Sequence, residues 1–142
     1  MKICTVIAFG AFDPLHPGHE FFLQQAKSFG DYLLVVVARD SSIRAYKQRE
    51  PYKSEEERLS AVVALPAVNE AILGNKTAHR YELLAELSFD VVALGYDQSP
   101  SEEDVRRELD ARGKFGVAIV RCPALRPDLY KSTILRGPAP IF

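Results

Sequence analysis

The sequence predicts an α/β fold, a doubly wound five-stranded parallel sheet within a single domain covering residues 1–142. Three observations predict it. Five apolar runs rich in β-branched residues recur along the whole chain. The central ones are apolar at nearly every position, as strands covered on both faces require. Segments with helical punctuation separate them, and strands alternating with helices give right-handed crossovers between parallel strands.

The elements follow in order. Residues 3–8 form the first strand-like run. Residues 18–28 read as a helix with Phe21, Phe22, Leu23 and Ala26 inward and Gly30 just beyond its end. A second run covers residues 32–38. The polar stretch 39–53 carries five basic residues (Arg39, Arg44, Lys47, Arg49, Lys53), Pro51 and few apolar anchors, and is expected to be a mobile loop. Ser54 with Glu57 three residues later has the form of a capping box. It opens a helix whose acidic first turn suits the helix dipole and whose inward stripe is Leu59, Val62, Val63 and Leu65. Residues 67–73 make the third run, and Thr77 is placed to cap a short helix bearing Tyr81, Leu83, Leu84 and Leu87. The fourth run is residues 90–94. Ser101 and Asp104 then mark a helix start, Val105 and Leu109 its buried stripe and Gly113 its C-terminal cap. Residues 116–120 are the last run.

Composition narrows the function classes. Eighteen Lys and Arg against 19 Asp and Glu leave a net charge of −1, with no general excess of positive charge to grip a nucleic-acid backbone. No apolar run approaches the ~20 residues of a membrane span, and no signal-peptide pattern opens the chain. The expectation is a soluble cytoplasmic protein. Cys4 and Cys122 lie in separate apolar runs outside any CxxC pattern, as buried thiols of a reducing compartment would.

In open α/β sheets the loop after the first strand borders the ligand crevice. Here that loop, residues 9–19, lacks both the dinucleotide fingerprint GxGxxG and the P-loop pattern. It offers His16 and His19, three apart, with Gly18 between them, where loop becomes helix. Two imidazoles can converge there on one anion while the helix N-terminus adds amide donors and partial positive charge. Gly10 and Gly18 allow close backbone approach to a phosphate.

The pattern Gly10-x-Phe12-Asp13-x-x-His16-x-Gly18-His19 resembles the signature of the HxGH nucleotidyltransferases, whose fold is a Rossmann-like five-stranded parallel sheet of this kind. Ser132 and Thr133 resemble the family's second signature, a pair opening a C-terminal helix that faces the triphosphate. Gly95 and Asp97, after the fourth strand run, stand where relatives contact the nucleoside, and Arg58 resembles a basic residue similarly placed in the family. The resemblance also sets the backbone of Phe9, Gly10, Ala11 and Phe12 against the nucleotide, although either ring could instead plug the end of the sheet. Residues 26–33, 35–40 and 94–98 look most like the archaeal-type FAD synthases, which join AMP from ATP to FMN. Two alternatives stay open: a cytidylyltransferase using CTP and glycerol 3-phosphate or another small polyol phosphate, and a non-catalytic nucleotide sensor. The tail departs from both enzyme groups: it has no cysteine after Cys122, and residues 126–133 lack an Ile-Ser-Thr-Thr run.

The resemblance implies in-line attack by an acceptor phosphate on the α-phosphorus of a nucleoside triphosphate, with pyrophosphate leaving. His16 and His19 are the catalytic candidates, set against the oxygens around the α- and β-phosphates. Ser132 and Thr133 would hold the β- and γ-phosphates. Lys47, Arg49 and Lys53 are candidate triphosphate contacts that nothing in the sequence ranks, with Arg58 beside them. Mg²⁺ or another divalent cation is expected to offset the triphosphate charge. Its protein ligands are undetermined, Asp13 being either an outer contact or a turn aspartate. A homodimer is the expected assembly.

Overall fold

The computed structural model describes residues 2–75, 81–98 and 100–123 of the chain. Thr77 and His79 lie outside the described residues, as do Ser132 and Thr133.

Five strands, β1 (Thr5–Gly10), β2 (Tyr32–Val37), β3 (Glu70–Leu73), β4 (Val91–Leu94) and β5 (Ala118–Arg121), pair in parallel in the order β3-β2-β1-β4-β5. Residues Val6 to Ala8 pair with β2 on one side and β4 on the other, so the chain reverses its direction of travel across the sheet at β1. A crevice opens beyond the carboxyl ends of β1 and β4 at such a reversal. The continuous apolar runs are explained by cover on both faces. Ile7, Phe9, Leu34, Val92 and Leu94 face a core shared with Leu84, Val105 and Leu109. Val6, Ala8, Leu33, Val35 and Val37 face the other, with Leu23, Ala26 and Val62.

Helix α1 (Pro17–Lys27) follows β1, and α3 (Glu55–Val63) precedes β3. The Ser54 capping box forms as the spacing predicts: its side chain accepts from Glu57 N at 3.1 Å, and Glu57 Oε1 accepts from Ser54 N at 3.2 Å. Helix α5 (Glu102–Ala111) is capped by Ser101, which accepts from Asp104 N, and Gly113 takes the left-handed φ of 77° that ends it. A four-residue helix, α4 (Leu83–Glu86), buries Leu84. Among the described residues no helix is long and apolar enough to cross a membrane. Of the two cysteines, Cys122 is buried, which pushes its thiol up to about 11, and Cys4 is only partly so.

Two expectations are corrected. The polar stretch after β2 is not an unanchored loop: residues Asp40–Lys47 form helix α2. Ile43 is its apolar anchor, packed with Ala11 and Ala38. Arg39 donates to Gly74 O and Glu55, Asp40 N donates to Glu55 Oε1, and Arg44 pairs with Glu50. These fixed contacts supply what the sparse apolar pattern did not signal.

The inward stripe of α3 also differs, because Val63 is 54% exposed and Arg58 is 1% exposed. Arg58 shares the buried face with Val62, four residues on, and its guanidinium satisfies groups that would otherwise be stranded. Its Nη1 donates to Ala11 O at 3.0 Å and to Ala38 O, its Nε to Lys53 O at 3.0 Å, and its Nη2 pairs with Asp40 at 2.8 Å. It is therefore a clamp between the ends of β1, β2 and the start of α3, and not a triphosphate contact.

A buried carbonyl left without its donor costs about 1–3 kcal/mol. Arg58→Met strands two of them, so urea denaturation should show a loss of at least about 2 kcal/mol. Arg58→Lys should recover little, because one ammonium cannot reproduce the fork.

Candidate active site

The loop between β1 and α1 is held from three directions by its own carbonyls. Phe9 O accepts from Gln98 Nε2 at 2.9 Å, Gly10 O from Ala38 N at 2.9 Å, and Ala11 O from Arg58. Phe12 has φ of 52°, a left-handed conformation that costs a non-glycine residue free energy. The turn folds its ring back over the strand end, where a Cβ on Gly10 would lie 2.7 Å from Phe12 Cζ. The absence of a side chain at Gly10 thus makes room for the Phe12 ring. The rings of Phe9 and Phe12 are both buried, so they plug the sheet end, and ligand contact at residues 9–12 is left to the backbone. The Phe12 ring meets His19 edge-on, centroids 5.2 Å apart.

His16 and His19 occupy the two positions of a capping box. His16 is the N-cap of α1, and its Nδ1 accepts from Gly18 N at 3.0 Å. His19 reaches back so that its Nδ1 accepts from His16 N at 3.3 Å. The rings stack with centroids 3.7 Å apart. A backbone N–H can only donate, so each Nδ1 is an acceptor and each neutral ring carries its hydrogen on Nε2. The spacing that satisfies helix-end amides therefore also sets two like tautomers side by side at a helix N-terminus.

Asp13 is 3% exposed, and neither of its oxygens waits for an outer ligand. Oδ2 accepts from Tyr52 N at 2.9 Å and from Arg49 Nη1 at 3.2 Å, and Oδ1 from Lys53 N at 2.9 Å. It ties residues 49–53 to the histidine loop, which is the turn-aspartate role. Arg49 also donates to Glu50 O and lies over the Tyr52 ring, 4.5 Å from its centroid. Its Nε and Nη2 are buried with no hydrogen-bond acceptor among the described residues. Lys53 is exposed, and Lys47 sits in the last turn of α2.

Beyond β4, Gln98 bridges the crevice. Its Oε1 accepts from Gly95 N at 3.0 Å while its Nε2 holds Phe9 O across the sheet. Arg121, at the end of β5, donates to Gly95 O at 2.8 Å and Gln98 O at 2.6 Å and pairs with Glu102. Asp97 is exposed on this turn. Burial, followed by the Asp97 charge, pushes the Tyr96 phenol up to about 12. Sequence reasoning offered the turn-aspartate role of Asp13 as one of two readings, and it missed Arg121 and the structural uses of Gln98 and Arg58. Only Arg58 left a trace, lying in register with the apolar stripe of α3.

Residues 7–137 match the cytidylyltransferase-like family, and the chain belongs to that family. Within it the chain is 48% identical over 121 residues to a FAD synthase of Methanosarcina mazei, covering 85% of this chain and 78% of the relative. It is 42% identical to a FAD synthase of Thermococcus onnurineus, covering 87% and 82%. A solved structure from Thermoplasma volcanium, described as a lipopolysaccharide core biosynthesis protein, superposes with a TM-score of 0.81 at 36% identity. That match covers 87% of this chain and 99% of the other.

The Asp13 clamp has a pH signature. Burial alone would raise its carboxyl, but the Tyr52 and Lys53 amides and the Arg49 guanidinium outweigh burial and hold it below the ordinary value of 3.8. A carboxylate with a depressed folded pKa stabilises fully above its unfolded value, and that contribution fades as pH falls through the folded value. Asp13→Asn should lower stability at pH 7 by about 1–3 kcal/mol. It should also flatten the acid decline of stability below pH ~4, as read by urea titration across that range. An acid decline as steep as that of the parent would show that Asp13 is not its source.

Proposed function

We propose that the protein is an FMN adenylyltransferase, transferring AMP from ATP to the phosphate of FMN to give FAD and pyrophosphate. The observation that carries this is the stacked pair of Nε2–H imidazoles at the start of α1, set in the crevice between β1 and β4. The FAD synthase relatives over most of the chain supply the substrates.

In the reaction, a terminal oxygen of the FMN phosphate attacks the α-phosphorus of ATP. The new Pα–O bond forms in line with the departing Pα–O–Pβ bond, and the leaving pyrophosphate carries away the electron pair. The acceptor is already an anion, so no general base and no covalent enzyme intermediate are needed. What the protein supplies is position and stabilisation of growing charge. His16 and His19 donate from Nε2 to the oxygens around the α- and β-phosphates, where that charge develops.

Of the candidate cations, Arg49 is favoured for the triphosphate. Among the described residues two of its guanidinium nitrogens have no acceptor, leaving hydrogen-bonding capacity that a phosphate oxygen would meet. Ser132 and Thr133 remain proposed contacts to the β- and γ-phosphates, and Gly95 and Asp97 to the nucleoside. Among the described residues no group of three or more His, Cys, Asp or Glu side chains is placed to hold a metal ion. A divalent cation would accordingly arrive on the triphosphate, which it neutralises while keeping most of its own waters.

A pyrophosphate-release screen crossing ATP and CTP with FMN and glycerol 3-phosphate tests the reading. ATP with FMN should give kcat/KM at least about tenfold above any other pair, as a site built to pair particular polar groups allows. CTP with glycerol 3-phosphate exceeding it would move the chain to the polyol-phosphate cytidylyltransferases, and no turnover with any pair would favour a nucleotide sensor.

A further inference from the structure

We infer that Gln98 is the positioning residue that holds the nucleoside turn at a fixed separation from the histidine loop, so that the α-phosphorus of a bound nucleotide meets the two imidazoles. The inference rests on the FMN adenylyltransferase reading above, and its structural ground is the place where the sheet parts. Pairing between β1 and β4 ends at Ala8 and Ala93, whereas β1 stays paired with β2 as far as Gly10 and β4 with β5 as far as Leu94. The two central strands therefore separate at their carboxyl ends while each keeps its outer neighbour, and the crevice begins at that point.

One primary amide spans the opening. Gly95 N, on the first residue past β4, donates to Gln98 Oε1 at 3.0 Å, and Gln98 Nε2 donates at 2.9 Å to Phe9 O, on the residue that follows the last β1–β4 pair. In a continuous ladder the backbone donors and acceptors of two strands meet directly. Here a side-chain amide stands between them and makes the link longer by one planar group. Such a link needs an acceptor and a donor on the same group: a carboxylate offers acceptors alone, and a thioether offers no donor. The neighbours fix which end of the amide is which, since a backbone N–H can only donate and a carbonyl can only accept.

The turn is also braced from β5. Arg121 Nη1 donates to Gly95 O at 2.8 Å and to Gln98 O at 2.6 Å, and Gln98 N donates to Gly95 O at 3.1 Å. Residues 95–98 are thus a stiff unit, and the bond from Gln98 to Phe9 sets where that unit stands relative to β1. Phe9 leads directly into the loop that carries His16 and His19. A nucleotide spans both places, its nucleoside against Gly95 and Asp97 and its phosphates against the histidines. Its covalent structure bounds the distance between those ends, so the separation of the two half-sites decides whether the α-phosphorus reaches the Nε2 donors in line with the acceptor. A misplacement of about 1 Å at a reacting centre costs about 10²-fold in rate.

Two substitutions test the role. Gln98→Met removes both hydrogen bonds at nearly constant volume, and Gln98→Glu keeps an acceptor for Gly95 N while setting a carboxylate oxygen against Phe9 O. In steady-state FAD formation, assayed below the thermal midpoint of each variant, kcat should fall by about 10²-fold, and by no less than about tenfold, in both. KM for ATP should stay within about threefold, as should the inhibition constant of pyrophosphate, which probes the phosphate half-site alone, because each half-site remains intact. A smaller fall in kcat in either variant, or a rise of either constant beyond that range, overturns the positioning role and leaves Gln98 as support for the turn, with the adenylyltransferase reading untouched. A wild type that makes no FAD overturns that reading and the inference with it.

Discussion

Two buried side chains of opposite charge, Asp13 and Arg58, hold the histidine loop between β1 and α1 in place. Burying an ionised group is costly unless its hydrogen-bonding capacity is met, and a partner lost from such a site leaves a stranded charge. Each of these residues meets that demand from backbone groups on different elements. Arg58 collects carbonyls from the ends of β1 and β2 and from the start of α3, while Asp13 collects amides from residues 52 and 53. They pull in complementary directions, one on the carbonyls of residues that follow the strands and the other on the amides of the segment that leads into α3. Neither can relax without exposing an unsatisfied group, so the loop between β1 and α1 has one low-energy course.

That rigidity sets the geometry of the histidines. Phe12, forced into a left-handed turn over Gly10, presses edge-on against His19, and the two imidazoles cap α1 for each other. The hydrogen bonds that stabilise the helix end are those that fix both tautomers. Catalytic stabilisation of charge depends on donors already aimed before a reaction begins, and under the proposed function the folding free energy of a helix terminus would do the aiming. On the far flank Gln98 and Arg121 fix the β4 turn in the same manner, with side chains bonding backbone.

The strands were legible because both-face burial writes itself into the sequence as unbroken apolar runs, and the capping box of Ser54 and the glycine cap at Gly113 were legible because local backbone chemistry demands those residues. The histidine pair was legible through its spacing, though not as a capping box, since imidazole is an uncommon cap. Helix α2 was hidden because one residue, Ile43, anchors it and the rest of its support is ionic and distant in sequence. Arg58 and Val63 exchanged expected places for a related reason. Hydropathy ranks them correctly in isolation, but two of the three carbonyls Arg58 serves lie 20 and 47 residues away and leave no mark near it. Ser132 and Thr133 fall outside the described residues.

The central claim is that the imidazoles act on the transition state through Nε2 and on the fold through Nδ1. His16→Ala and His19→Ala delete the Nε2 donor together with the Nδ1 cap, and the two losses are read separately, the first in kcat and the second in thermal stability. Kinetics of FAD formation should show kcat lowered by about 10²–10³-fold in each variant, by analogy with loss of one oxyanion donor. KM for ATP should stay within about threefold, since the donors act chiefly as charge develops, and stability should fall by only the ~1 kcal/mol that a lost helix cap costs. A kcat within threefold of wild type in either variant would contradict the account.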